Sequence, residues 1–563
     1  MKEKGDFAPD LVIINANIIR VDPANSRAEA LGVYGDKIVE VATTHEIKKQ
    51  ITKNTKVIDA QGKTVTPGFI DAHTHPRALY PFENRMHIVD LFYVTSIQDL
   101  IQILKAKTAI TPPGGWVRGS GYQDTKLGRH PTRDDLDQVS RNHLIQIGHV
   151  TMHASAVNSL VLNKAGITED TPDPWNGGFV RFCGHPVYPD GTTNGVLLEK
   201  AGDFVLSRPG IPASPAATKE EEKIGLYTCF QNFIQKGITS IGDAMTDNRK
   251  IGLYQDMLQE ERLPLRINMM FLIEGSNLDV LEALGKVGVK SGFGSKRLRF
   301  GPLKLFAGNS RGARTCWLWE PYVGSHANDK PPYYGIPHPL LWPEPAKIDE
   351  MILAGHKAGF QWAVHSIGDR EIDRLLDAYQ KALKQYPVVD HRHRIEHASI
   401  MGKDLRLLNR AKELGVVLNF FPSTYEHGDK YTDYGPERIA HMAPYRSAID
   451  LGIPVAGHSD WDVTAADPML RIYDMVNRKS KEGIVYGLNQ RVTPEEAIRV
   501  WTMGGAYASF EEKIKGSIGV GKLADIVILS SDPTAVSPDR IKDIQVEMTI
   551  IGGKLAYESK SLV

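Results

Sequence analysis

A chain of 563 residues, 42% hydrophobic and 24% charged, has room for a large barrel with additions and an ordinary globular composition. Lys+Arg and Asp+Glu both total 67, so charge gives no reason to expect nucleic acid or an anionic membrane as a partner. No apolar run reaches bilayer-spanning length, and the three cysteines (Cys183, Cys229 and Cys316) cannot build a disulfide framework.

At the N-terminus, Met1–Asp6 leads into no apolar leader, which predicts a cytoplasmic protein. Short strand patterns follow at Leu11–Ile14, Ala28–Tyr34, Lys37–Val41 and Lys56–Asp59, with Gly32 interrupting the second. The C-terminal segment repeats that texture at Asp525–Leu529 and Val546–Ile551, then turns at Gly552-Gly553. Two strand-rich ends predict one β-sandwich domain assembled from residues 1–65 and 515–563. Between them, residues 66–514 alternate strand and helix patterns. The strands are Thr66–His75, Ile238–Asp243, Leu265–Leu272, Leu298–Phe306, Gln361–His365, Arg392–His397, Gly415–Phe421 and Ile453–Ser459. Helical patterns lie at 218–236, 371–383 and 494–508. Eight such units predict an α/β fold, a (β/α)8 TIM barrel. Residues 77–217, rich in Gly, Pro and aromatics, read as an insertion after strand one that shapes a binding site.

Strand one ends in His73-Thr74-His75. Side chains alternate along a strand, so both imidazoles face one way, a spacing that suits a divalent metal such as zinc. Alone the motif is weak, because paired surface histidines are common. The remaining strand ends strengthen it. Lys304 lies late in strand four, His365 ends strand five, His397 ends strand six, and Asp460 follows strand eight. Barrel strand ends converge on one mouth, so these residues could bind two divalent metals. A lysine ammonium cannot ligate a cation, but CO2 converts it to a carbamate whose two oxygens can bridge a metal pair. Spacing alone slightly favours the plain alternative, Lys304 in a salt bridge.

Longer motifs carry a resemblance. "PGFIDAHTH" at 67–75, "GWVRGSGYQ" at 115–123, "PTRDDLD" at 131–137, "HASAVNS" at 153–159 and "GVLLEKA" at 195–201 are joined by "KLFAGNSRGART" at 304–315. "HSIGDREID" at 365–373, "HRHRIEHA" at 391–398, "HSDWDV" at 458–463 and "GSIGVGKLADIVIL" at 516–529 complete the set. In these segments the chain resembles the amidohydrolase superfamily and, within it, the amidohydrolase-3 group of YtcJ-like hydrolases, which includes N-substituted formamide deformylases. The resemblance covers almost the whole chain. It implies a metal site of His73, His75, carboxylated Lys304, His365 and His397, with Asp460 touching the metal as acid/base and one or two zinc ions per chain. One departure stands out: the group has Asp-Gly after this strand, whereas here the pair is Gly308-Asn309, which leaves a supporting carboxylate in doubt.

The implied reaction is hydrolysis of an amide-type C–N bond in a small molecule by hydroxide held at the metal, with Asp460 as general base and then acid. His153 is a candidate oxyanion donor. His153 and Asn158 read either as site-lining substrate contacts or as a hydrogen-bonded structural pair. Glu199 reads as a carboxylate fixing a loop ahead of a metal ligand. Trp461, beside Asp460, is the expected pocket wall, with Trp175, Phe179, Trp317 and Trp319 as weaker ones. His149, His391 and His393 read as structural or exposed, and Gly68 as a site of close strand packing. Two other readings stay open. One is a mononuclear deaminase of a heterocycle, in which Lys304 is dispensable. The other is a catalytically inactive scaffold of the same fold, against which the intact ligand set argues. A homodimer is expected.

Overall fold

Runs of Val, Ile, Leu and Phe buried on both faces are what a parallel sheet inside a helical shell requires. The computed structural model describes residues 8–172, 174, 177–179, 193–273, 278–323 and 332–559. In it, eight parallel strands neighbour one another in chain order: Phe69–Thr74, Ile238–Thr246, Arg266–Leu272, Leu298–Phe306, Trp362–Ser366, Arg394–His397, Val417–Phe420 and Val455–Gly457. The barrel is nearly closed. At its mouth, Asp460 N–H donates to His73 O at 3.2 Å and His75 N–H to Trp461 O at 2.7 Å, joining the ends of strands one and eight.

The expected first strand, Thr66–His75, divides in two. Thr64–Pro67 belongs to a terminal sheet and Phe69–Thr74 to the barrel, with Gly68 between them. The break has a steric cause. A Cβ on Gly68 would sit 2.2 Å from Thr239 Oγ1 on barrel strand two, so only glycine lets the chain pass that closely from one sheet to the other. Helices return on the outside. Lys219–Gln235 starts at a Thr218/Glu221 capping box, and Asp369–Gln385 buries Ile372, Leu375, Leu376 and Tyr379. The helix expected over 494–508 is interrupted by a π-turn at Val500–Gly504.

A six-stranded sheet combines Asn17–Ile19, Arg27–Ala28 and Thr64–Pro67 with Ile526–Leu529, Val546–Ile551 and Lys554–Glu558, so both ends of the chain share it. A four-stranded sheet of Leu11–Ile14, Ala30–Tyr34, Lys37–Ala42 and Lys56–Asp59 shares its apolar core, which includes Ile13, Ile18, Leu31, Val65, Ile526 and Ile550. The strand Lys554–Glu558 escaped sequence reading because only its antiparallel pairing with Val546–Ile551 across the Gly552-Gly553 turn marks it.

The segment after strand one carries its own six-stranded sheet, including Trp116–Tyr122, Leu144–His149, Ala154–Val157 and Val196–Glu199. Arg314, in the loop after barrel strand four, pins it to the barrel: its guanidinium reaches Asp124 of this segment at 3.2 Å and Asp433 at 2.5 Å. Cys229 and Cys316 are free and buried. Trp175, Cys183 and the side chain of Phe179 lie outside the described residues. Among the described residues no helix is long and apolar enough to cross a membrane.

Candidate metal centre

His73, on the last turn of barrel strand one, is fully buried. Its Nδ1–H donates to Glu396 Oε2 at 2.5 Å, and the same carboxylate is gripped by Arg394 and by Asn419 Nδ2 at 2.7 Å. A proton held on Nδ1 leaves the Nε2 lone pair free, and Nε2 lies 3.4 Å from Asp460 Oδ1. His75 Nε2 approaches the same oxygen at 3.1 Å, and His397 Nδ1 lies 3.9 Å from Asp460 Oδ2. His458 stacks between His73 (ring centroids 4.8 Å apart) and Phe421 (5.2 Å). Two groups, His73–His75–Asp460 and His397–His458–Asp460, hold their ligand atoms within 4.8 Å of one another and share the aspartate. His365 packs edge-on against His397, centroids 4.4 Å apart, and its Nε2–H donates to Asn309 O at 3.1 Å.

The donor set fits a cation. Buried polar atoms are almost always hydrogen-bonded, yet among the described residues His73 Nε2, His75 Nδ1, His397 Nδ1, both nitrogens of His458 and Lys304 Nζ have no hydrogen-bond partner. Burial, with Lys304 and neighbouring imidazoles adding to it, pushes His73 and His365 well below the usual histidine range; His397 follows the same direction, and burial takes His458 down to about 4. Neutral imidazole is the form that ligates. Burial raises the Asp460 carboxyl, but the hydrogen bond and charge of His75, with His458 and Lys304, outweigh it and hold the group ionised below its ordinary value. Asp460 (φ 55°), His397 (φ 70°) and Ala398 (φ 44°) adopt left-handed backbone, a conformation that concentrates at functional sites.

Lys304 is fully buried, its Nζ 4.7 Å from the Phe306 ring centroid. Among the described residues it makes no ion pair, so the salt bridge that spacing favoured is not formed. Burial lowers its amine to about 8.

His153 reaches the mouth from the inserted segment, its ring 5.4 Å from that of His365, and lines one cavity with His365, His397, Phe421 and Asp460. Its Nδ1–H donates to Glu199 Oε2 at 2.7 Å, and Glu199 also accepts from Thr315 Oγ1, so this carboxylate fixes a loop, as its sequence context suggested. Burial opposes protonation of His153, but Glu199 outweighs it and raises the imidazole above its ordinary value. The charged form therefore persists to higher pH than in a free histidine and is lost as pH climbs through the raised value. Glu199→Gln removes the larger opposing influence, and the basic limb of kcat/KM, read from a pH profile, is expected to move to lower pH. An unchanged limb would remove His153 from the titrating machinery.

The structure places Asn158 and Trp461 outside the cavity that His153 lines. Asn158 caps the helix Ser159–Ala165: its Oδ1 accepts from Val161 and Ile145 N–H, and its Nδ2 donates to Ser140 and His143 carbonyls. All its hydrogen-bonding capacity is spent inside the inserted segment. Trp461 does not line that cavity: it packs on Phe233 (5.2 Å) and under Arg77 (5.6 Å) and lines a neighbouring cavity with Arg77, Tyr80 and Asp462. Trp317 and Trp319 flank Arg370 rather than the cavity. His149, His391 and His393 are buried and hydrogen-bonded.

Two residues of the centre escaped sequence reading. His458 obeys the alternation that exposed His73 and His75, two positions before Asp460 at a strand end. Glu396 shows no such signal, since its role depends on reaching across the barrel to His73. Beside the departure at Gly308 stands a third residue, Glu371. A Cβ there would lie 2.3 Å from Glu371 Oε2, so the space beside the glycine holds the Glu371 carboxylate. That carboxylate accepts from the N–H groups of Asn309, Trp317, Ile367 and Gly368 and ties the loops after strands four and five together.

Imidazoles and one aspartate delivered by strand ends to a single barrel mouth form an arrangement suited to metal-assisted hydrolysis. Comparison with known proteins agrees: a match to the Amidohydrolase family spans residues 56–557, and the chain belongs to that family. It is 28% identical over 559 residues to the N-substituted formamide deformylase of Arthrobacter pascens, covering 98% of each chain. It is also 28% identical over 550 residues to the putative amidohydrolase YtcJ of Bacillus subtilis, covering 94% of this chain and 96% of that one. Among solved structures, an uncharacterized metal-dependent hydrolase from Pyrococcus horikoshii shares the fold at TM-score 0.70 and 23% identity, over 94% of this chain and 99% of that one. Membership makes the protein a hydrolase and implies a divalent metal.

Proposed function

We propose that the protein hydrolyses the C–N bond of an amide-type small molecule, with N-substituted formamides as the leading class. The observation that carries the reading is the set of unpartnered, buried imidazole nitrogens gathered around the ionised Asp460. Its extension to formamides draws on the Arthrobacter pascens relative. His73, His75, His365, His397 and His458, with Asp460 and a carbamate on Lys304, would hold the metal; nitrogen and oxygen donors suit zinc. When bound, a divalent metal supplies Lewis acidity and a water that ionises near neutral pH.

The chain's own groups do the rest. Asp460, ionised and at the mouth, accepts the proton of the attacking water and passes it to the leaving nitrogen, so the amine departs neutral. His153, held as a donor by Glu199, stabilises the oxyanion that develops on the former carbonyl oxygen. Water and an N-substituted formamide yield a primary amine and formate. Metal-loaded protein is expected to release equal amounts of amine and formate from N-benzylformamide. Ammonia release from an aminated heterocycle, with formamides untouched, would instead support the mononuclear deaminase.

A further inference from the structure

Arg311, in the loop after barrel strand four, lines the same cavity as His365, His397, Phe421 and Asp460. It is 5% exposed, yet its charge is unmatched. Its guanidinium donates to Ser423 Oγ and touches Met442 Sδ at 3.7 Å, with the rings of Tyr431 and Phe421 5.0 and 5.8 Å from it. Among the described residues no carboxylate stands within ion-pair distance.

Other deeply buried arginines are compensated. Arg266 is paired with Asp525, Arg394 with Glu396 and Arg471 with Glu426, while Arg478 donates to three carbonyls. Arg478 even adds positive charge behind Arg311, since both reach Met442. A guanidinium has five N–H donors, and burying one without an anion is costly. Neutral neighbours answer two of those donors. A carboxylate entering the cavity would answer two more through parallel hydrogen bonds from the planar fork, which packs beside the aromatic rings.

We propose that Arg311 binds a carboxylate of the substrate, which makes the substrate an N-acylated amino acid, such as an N-formyl amino acid, rather than a neutral amide. This rests on the C–N hydrolase reading above. The carboxylate docks on Arg311 while the amide lies beside Asp460 and the imidazoles.

The test pairs N-formyl-leucine with its neutral carboxamide. Wild type is expected to favour the carboxylate by about 100-fold in kcat/KM, the size of effect that a buried, hydrogen-bonded charge pair gives. Arg311→Met should erase that preference by lowering the rate on N-formyl-leucine toward that on the carboxamide, whereas Arg311→Lys should retain part of it. Equal rates on both probes in wild type overturn the proposal and leave the hydrolase reading standing. Hydrolysis of neither overturns the formamide-hydrolase reading, and calorimetry then decides Arg311 alone. N-formyl-leucine binding that weakens about 100-fold in Arg311→Met supports the carboxylate site; equal or absent binding overturns it. If Arg311→Met does not fold, Arg311→Lys gives the answer: a reduced preference for the carboxylate probe supports the proposal, and an undiminished one overturns it.

Discussion

Lys304→Ala is expected to lower metal content from about two ions per chain to one or fewer, with activity falling in step. The sign of this change separates the two states of the lysine. An unmodified ammonium among five imidazoles repels a cation, so its removal would raise metal affinity. A carbamate is an anion with two ligand oxygens, so its removal must lower it. The surroundings favour the chemistry of carbamate formation, in which a neutral amine attacks CO2, forming an N–C bond and losing a proton. An amine lowered to about 8 is roughly 10% neutral at pH 7, against about 0.03% for an ordinary lysine. The unpartnered Nζ, buried beside Phe306, also leaves the nitrogen with no hydrogen bond to break first. Elemental analysis of protein refolded with zinc, with and without bicarbonate, checks this directly. Wild type should need bicarbonate to load fully, and Lys304→Ala should be indifferent to it. Metal content that is unchanged or higher in the variant would sink the carbamate.

How far the centre could be read from sequence depends on the distance over which each residue's role is decided. His73 and His75 are legible because strand alternation is local, and the eight strand ends are legible because each apolar run stops where the mouth begins. His458 was within reach of the same rule. His397 tests its limit: Glu396 and His397 are adjacent, yet one bonds His73 within the barrel and the other packs on His365 and His73. Neighbours on a regular strand face opposite ways, and the left-handed backbone at His397 and Ala398 breaks that alternation, which no local pattern announces. Asn158 stayed open in the sequence because an N-cap asparagine and a substrate contact look alike until its four hydrogen-bond partners are known. Trp461 misled because adjacency to Asp460 in the chain is not adjacency in the cavity. Arg311 and Glu371 were invisible for the same physical reason: their surroundings come from loops after strands four, five and seven, which meet only in the folded barrel.

Asp460→Asn should reduce kcat by about 10³-fold while changing KM only a few-fold. The substitution preserves shape and one oxygen, so His75 keeps a polar neighbour, but an amide oxygen cannot take the water's proton and relay it to nitrogen. The loss should fall on the transition state, lowering kcat and kcat/KM together. The pH profile sharpens the test. Burial would raise the Asp460 carboxyl, but His75, His458 and Lys304 more than reverse that, so the ionised base survives to pH values below the usual carboxylate range. Activity should therefore persist on acidification until pH falls through that depressed value, unless protonation of the surrounding imidazoles releases a bound ion first. Metal analysis at each pH separates the two causes: a rate lost with metal retained reports Asp460, whereas a rate lost with the metal reports the histidines. A variant that keeps its metal and more than about a tenth of wild-type kcat would remove Asp460 from proton transfer, because general base catalysis of this kind contributes at least about 10²-fold.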